Sequence, residues 1–187
     1  MNTVRPYQPS DKDRVRHICL RNAECLDAPE STQKYILLMY CDYYIEQEPQ
    51  NCFVAVDDDN QAVGYIICTE DYAKYEKTFR EIYLPRCAEI STKRYVDAEF
   101  DLLTHSMFRG NYPAHFHIDI YEEYQRKGIG SLLISALRMH LREKNIDGVM
   151  LVCGADNIQA QNFYKKNGFK TLLTTKFGTA MALDFKE

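Results

Sequence analysis

The stretch Tyr124-Gln125-Arg126-Lys127-Gly128-Ile129-Gly130-Ser131 carries the strongest chemical signal in the chain. A strand-like run, residues 115–121, precedes it, and a helix-like run, residues 131–144, follows it. Gly128 and Gly130 let the backbone come close to a ligand. The following helix would aim unpaired N–H groups at the same point, and its dipole would add positive potential. Together these features make a seat for a phosphate or pyrophosphate. Just upstream, alternation puts His115, His117 and Asp119 on one face of the strand, and Phe116, Ile118 and Ile120 on the other. A histidine titrates near neutrality and suits base work, and a carboxylate at this position is the other candidate.

Spacing excludes two common phosphate motifs. No GxxxxGK[ST] string occurs, and Leu133 stands where a dinucleotide fingerprint needs its third glycine. What remains is Q-x-x-G-x-G behind a strand. A second block lies downstream: Asn157-Ile158-Gln159-Ala160-Gln161-Asn162-Phe163-Tyr164-Lys165-Lys166-Asn167-Gly168-Phe169. One helix-sized and one strand-sized segment separate the two blocks.

The first block resembles the acetyl-CoA pyrophosphate loop, [QR]-x-x-G-x-[GA], of the GNAT superfamily of N-acetyltransferases. The second is similar to that superfamily's N-x-x-A-x-x-F-Y-x-x-x-G-F segment. The likeness is close over residues 113–170 and loose over the N-terminal part. The run Ala114-His115-Phe116-His117-Ile118-Asp119-Ile120-Tyr121-Glu122-Glu123-Tyr124-Gln125 also looks like the subgroup that includes the acetyltransferase-like domain of O-GlcNAcases.

The resemblance implies one acetyltransferase domain over residues 1–187. Its fold would be mixed α/β: a mostly antiparallel sheet of six to seven strands, flanked by helices on both faces. It implies acetyl-CoA as cofactor and direct transfer of the acetyl group to a primary amine. In such proteins the fourth and fifth strands splay, and the pantetheine arm pairs with the backbone of the fourth. Here those groups would belong to Ile118 and Ile120, with Asp119 between them. Backbone N–H groups of Gln125, Arg126, Lys127, Gly128, Ile129, Gly130 and Ser131 would hold the pyrophosphate, and the Arg126 and Lys127 side chains could add charge. Asn157 would bind the pantetheine arm, or simply cap a helix, and Phe163 would line the channel, or simply pack.

Direct attack on a thioester needs alignment, a neutral amine and a proton for the leaving thiolate. Tyr164 is the candidate acid, since a phenol of pKa about 10 stays protonated beside a thiol of pKa about 8.5. The base is His117 or Asp119, with His115 two places further back, and a bulge in this strand could exchange its faces. Cys153 has apolar neighbours and reads as an inert thiol. His-x-His lacks a third ligand for zinc, so no metal is expected. The rival reading is a non-catalytic acyl-CoA-binding or recognition module with the same fold.

Around these blocks the chain supplies positioning elements. Residues 2–7 read as a strand and residues 10–23 as a helix with Val15, Ile18, Cys19 and Leu26 on one stripe. Ser31 or Thr32 would cap a second helix that ends at Glu48-Pro49. Residues 52–56 and 61–69 form a hairpin around Asp57-Asp58-Asp59-Asn60. Residues 71–112 form a helical insertion with two apolar stripes. The first is Tyr72, Tyr75, Phe79 and Ile82, stopped near Pro85. The second is Val96, Phe100, Leu103 and Met107, stopped near Gly110. The insertion would either cover the acceptor pocket or serve packing or dimerisation. Leu132, Leu133, Ala136, Leu137 and Leu141 form the buried stripe after the loop. Residues 148–153 make a strand covered on both faces. A helix capped by Asp156 or Asn157 ends at Asn167-Gly168, and a hairpin around Phe177-Gly178 closes the chain.

At 187 residues, 45% hydrophobic and 27% charged, the chain can bury a substantial core. A net charge of −4 favours neither nucleic acid nor an anionic membrane as partner. No apolar run approaches the roughly 20 residues of a membrane span. The N-terminus lacks an apolar signal core. The seven cysteines show no C-x-x-C pair and read as reduced core thiols. A cytoplasmic enzyme acting on a small-molecule or peptide amine is the expectation, with a homodimer as an open oligomeric state.

Overall fold

The computed structural model of the chain describes residues 3–185. Seven strands form one sheet: β1 (Thr3–Pro6), β2 (Cys52–Val56), β3 (Ala62–Thr69), β4 (Ala114–Ile120), β5 (Gly148–Cys153), β6 (Lys170–Thr174) and β7 (Thr179–Asp184). Their order is β1-β2-β3-β4-β5-β7-β6. Every neighbouring pair is antiparallel except β4 and β5. The expected mixed, mostly antiparallel sheet is therefore present. Asn2, the first residue of the expected N-terminal strand, lies outside the described residues.

The helices are α1 (Lys12–Asn22), α2 (Glu30–Leu37), α3 (Tyr43–Gln47), α4 (Tyr72–Thr78), α5 (Leu84–Ile90), α6 (Thr92–Ser106), α7 (Ile129–Glu143) and α8 (Ile158–Lys166). Wide π turns, Leu38–Asp42 and Phe79–Tyr83, join α2 to α3 and α4 to α5. Both α1 and α7 pack on β3, and all eight residues of that strand are buried. Its unbroken apolar run is what a strand covered on both faces requires. Helix α2 starts at Glu30 behind Pro29, ahead of the expected cap at Ser31 or Thr32. Proline suits that edge because its fixed φ leads into a helix without wasting a donor.

Glu48 ends the α2–α3 run and is fully buried. It accepts hydrogen bonds from the Tyr43 hydroxyl at 2.7 Å, the Asn51 amide at 2.8 Å and the Thr69 hydroxyl at 2.6 Å. The Glu70 N–H adds a fourth at 3.3 Å. This carboxylate ties the helix end to β3, and its donors satisfy a group that burial would otherwise penalise.

Four apolar stripes differ from expectation. Tyr72, Tyr75 and Phe79 are buried, but Ile82 is exposed and Tyr83 takes the inward place. The π turn Phe79–Tyr83 adds a residue to the helical turn and so rotates the stripe by one position. Pro85 does not stop the helix, which continues to Ile90. It sits in the first turn of α5, where its missing N–H is tolerated. On α6 the expected stripe faces outward: Val96, Phe100, Leu103 and Met107 are 48–64% exposed, and Ala98, Leu102 and His105 face in. The inner face of α6 meets an aromatic cluster, where the His105 and His115 rings lie 5.0 Å apart and the Tyr72 hydroxyl bonds to the Leu102 carbonyl. Leu26 and Leu132 are likewise exposed, and Ile134 replaces Leu132 in the buried face of α7.

The insertion packs against the N-terminal helices and the start of β4. Tyr75 stacks on Tyr44, and Arg94 of α6 lies 4.3 Å above the Tyr35 ring of α2. All seven cysteines are free thiols. Among the described residues no helix is long and apolar enough to cross a membrane.

Candidate active site

Strands β4 and β5 pair only at Ala114↔Val149 and His115↔Met150. Beyond those positions they diverge, and a cleft of about 1110 Å³ opens between them. The N-terminus of α7 and the inner face of α8 complete its walls, with Gly128, Gly130, Ser131, Asn157, Phe163 and Tyr164 among the lining residues.

β4 pairs with β3 without a bulge, from Gly64↔Ile120 to Thr69↔His115. The expected alternation therefore holds along the strand. The Tyr121 N–H bonds to the Val63 carbonyl, which sets the phase of the ladder. Odd-numbered residues of β4 direct their backbone groups to β3, and Ile118 and Ile120 direct theirs toward the gap. The Ile120 carbonyl is already taken, contrary to expectation: it accepts from the Gln125 amide at 3.0 Å and the Asn22 amide at 3.3 Å. Ile118 is left with backbone groups facing the cleft.

The glycine loop has the shape its sequence requires. Gly128 caps α7 with φ +81° and has open space around it. Arg126 also takes a positive φ of 59°. The first intrahelical bond of α7 joins the Leu132 N–H to the Gly128 carbonyl, so the N–H groups of Ile129, Gly130 and Ser131 have no acceptor in their own helix. Gly130 lies under Phe163, and a Cβ there would stand 2.7 Å from that ring. Unpaired donors at a helix start, beside a floor that only glycine leaves open, fit a pyrophosphate group. Contrary to expectation, the Gln125 N–H is not free for a ligand, because it donates to the Glu122 carbonyl at 3.1 Å and closes the turn before the loop. Not every loop side chain reaches the cleft. Gln125 and Arg126 line it, but Lys127 turns away onto the Tyr124 ring at 5.3 Å, and the Ile129 side chain is in the core. Asn157 lines the cleft and also caps α8, accepting from the Ala160 N–H at 2.9 Å, so its structural and ligand-facing readings coexist.

The titratable groups Asp119, His117, Tyr164 and Cys153 line this cleft. Asp119 lines it, and burial raises its carboxyl to about 7, against the opposing effect of the Tyr65 hydroxyl that donates to it. His117 lines the cleft as well, and burial with the nearby His105 lowers it to about 3. Tyr164 is buried, and its hydroxyl has no protein partner among the described residues. Burial, then Asp119 and Cys153, push that hydroxyl well above the ordinary tyrosine range. Cys153 lines the cleft with its thiol raised by burial, which keeps it protonated and unreactive. His115 is buried below His117, away from the cleft lining. Among the described residues no group of three or more His, Cys, Asp or Glu is arranged to hold a metal ion.

Three contributors escaped the sequence reading. Tyr65 supports Asp119 from β3, Asn22 fixes the Ile120 carbonyl from α1, and Tyr44 contacts both His115 and His117. Each acts across at least 54 positions of sequence, and no local spacing signals such a contact.

A sequence profile described as the acetyltransferase (GNAT) family matches residues 16–169. Among solved structures, SsHAT superposes with a TM-score of 0.85 at 27% identity, over 100% of this chain and 99% of that one. PH1933 from Pyrococcus horikoshii OT3 gives a TM-score of 0.69 at 19% identity, over 100% of both chains. The PaiA N-acetyltransferase from Thermoplasma acidophilum, solved in complex with coenzyme A, gives 0.61 at 15% identity, over 98% of this chain and 99% of that one. At these last two identities the likeness is one of fold.

Proposed function

The chain belongs to the acetyltransferase (GNAT) family, N-acetyltransferases whose acyl donor is acetyl-CoA, and from that premise we propose how its cleft divides the work. The N–H groups from Arg126 to Ser131 hold the pyrophosphate, with charge added by the Arg126 side chain. The pantetheine arm runs along Ile118 toward Tyr164, past Asn157 and Phe163. Acetyl-CoA supplies an activated acyl group, so the protein has to align it, free the amine of its proton and protonate the leaving sulfur.

Asp119 is the base. A carboxyl held near 7 is half ionised at neutral pH and can take a proton from the acceptor ammonium. Tyr164 is the acid. Its raised pKa keeps the hydroxyl protonated, so that it donates a hydrogen bond to the sulfur as the C–S bond breaks and negative charge develops there, and among the described residues no protein group competes for it. His117 stays neutral at working pH and takes part as a hydrogen-bonding group. The observation that carries this reading is the convergence of Asp119 and Tyr164 on one cleft, at the open end of the β4–β5 pair.

The acceptor is a small-molecule or peptide amine. The run Ala114 to Gln125 supports a place in the O-GlcNAcase-like subgroup. We read residues 1–187 as one acetyltransferase domain, and the seven free thiols support a cytoplasmic setting. The outward apolar stripe of α6, extended by Phe177 at 5.0 Å from Phe100, supports pairing with a second copy of the chain.

Calorimetry with acetyl-CoA, followed by CoA release across an amine panel, tests the reading. Saturable 1:1 heat that is lost when the loop is altered supports the proposed seat. Binding unaffected by a change at Gly130 would remove it.

A further inference from the structure

The Tyr44 hydroxyl lies between two histidine rings. It is 2.8 Å from Nε2 of His115 and 3.1 Å from Nε2 of His117. The Tyr75 hydroxyl also acts on Tyr44, but the directed hydrogen bonds of the Tyr44 hydroxyl run to these two nitrogens, so its one proton goes to one of them and its oxygen accepts from the other. Burial holds His115 well below the ordinary histidine range and lowers His117 to about 3, so both rings are neutral. With the Tyr44 proton on one of them, two neutral rings that share this hydroxyl through Nε2 hold opposite tautomers.

His115 decides which is which. Its Nδ1 is sealed from solvent and has no partner. A sealed N–H without an acceptor is rarer and costlier than an unmatched lone pair. The His115 proton therefore sits on Nε2 and points at the Tyr44 oxygen. Tyr44 then donates to Nε2 of His117, and the His117 proton is left on Nδ1. That atom has no protein partner among the described residues and is not sealed off, while the His117 ring lines the cleft. Tyr40 and Tyr44 stand edge-on to this ring at 5.5 and 5.2 Å and fix its plane. The titratable groups around it are these two tyrosines, His115 and Asp119 on its own strand, and His105 of α6.

We propose that Tyr44 is a positioning residue that locks His117 in its Nδ1–H tautomer, so that His117 presents a hydrogen-bond donor to the cleft and is not the base. The inference rests on the acetyl-transfer reading of the cleft only for its catalytic meaning. The Nε2 lone pair of His117 is occupied by Tyr44, and its other nitrogen already carries a proton. Asp119 is then the one proton acceptor on that face of β4.

The test reads the tautomer directly in the full-length protein. Long-range 1H–15N spectra of 15N-labelled protein at neutral pH, without ligand, should show His117 protonated at Nδ1 and bare at Nε2, with His115 the reverse. In Tyr44→Phe the His117 pattern should change, kcat/KM should fall about tenfold, the worth of one hydrogen bond, and the acidic limb of the pH profile should remain. His117→Asn, whose amide can donate from nearly the Nδ1 position, should keep that limb. A wild-type His117 protonated at Nε2, or a limb lost in His117→Asn, would overturn the proposal. If Tyr44→Phe does not fold, the wild-type spectrum still decides. The tautomer as described in a protein without transferase activity would leave this inference standing and refute the reading of the cleft.

Discussion

Tyr65 and Asp119 are direct cross-strand partners in the β3–β4 ladder, and the tyrosine hydroxyl donates to the carboxylate. Two opposed influences thus meet on one group. Burial raises the Asp119 carboxyl to about 7, and the Tyr65 bond restrains that rise. The kcat/KM profile should show an acidic limb near pH 7. Tyr65→Phe removes the donor that favours the ionised form, so the limb should move upward, by about one unit. A limb that stays in place would show that Tyr65 does not tune the base.

Asp119→Asn should reduce turnover by roughly 10²- to 10⁴-fold, the usual range for loss of a general base. It should also alter stability in a pH-dependent way. The folded protein binds the Asp119 proton more tightly than the unfolded chain does, where an ordinary aspartate titrates near 4. The stability from this proton is fully present below about pH 4 and is lost as pH rises through about 7. The variant has no such loss, so its Tm relative to wild type should rise between pH 5 and pH 8. Parallel Tm curves would contradict the buried, proton-holding carboxyl.

Tyr164→Phe keeps the ring against Phe116, Phe163 and Phe169 and removes only the hydroxyl. Acetyl-CoA affinity should stay within about threefold by calorimetry, while kcat falls on the order of 10²-fold. Single-turnover kinetics would place the loss in the chemical step. Unchanged single-turnover rates would reassign the acid.

Gly130→Ala should be felt although alanine is the mildest replacement. Its Cβ would enter the space of the Phe163 ring, at 2.7 Å in the present geometry. The ring or the start of α7 has to shift, and the N–H groups proposed to hold the pyrophosphate shift with it. Acetyl-CoA affinity should drop about tenfold with about 1 kcal/mol lost in stability. Gly128→Ala meets no neighbour but is held at φ +81°, so its effect should be a stability loss of about 1 kcal/mol. Equal affinities for wild type and Gly130→Ala would argue against the seat.

Glu48→Ala removes the acceptor for three side-chain donors and one backbone N–H, all at the junction of α3 and β3. Several buried donors left unmatched should cost about 4 kcal/mol, or a Tm lower by roughly 10 °C in a chain of this size. Because Glu48 is remote from the cleft lining, acetyl-CoA affinity at low temperature should persist. A small Tm shift would mean that water replaces the carboxylate.

Elements whose signal is local were legible in the sequence. The apolar run at 148–153, the Asn157 cap and the Gly168 stop are written in adjacent residues, and the structure places all three there. The outward stripe of α6 was not legible. Val96, Phe100, Leu103 and Met107 have helical periodicity, but the opposite face, with Ala98, Leu102 and His105, fits the aromatic cluster beneath it. Periodicity reveals that a helix is two-sided and not which side a partner occupies. Tyr83 was missed in favour of Ile82 because a π turn changes the phase of the stripe, and sequence spacing assumes a constant turn. Within the proposed site, the positive-φ glycine turn and the alternation of β4 could be read directly. The proposed choice of Asp119 over His117 could not, because it rests on Tyr65 and Tyr44, which approach from other elements.

The two paired positions between β4 and β5 also make the sheet a fork, with four strands on one tine and three on the other. A coenzyme seated in the crotch, as proposed, would act as a wedge that sets the angle of the tines. Occupancy should then be mechanically visible far from the chemistry: amide exchange at Ile118 should slow whenever the wedge is present, including in variants that never turn over.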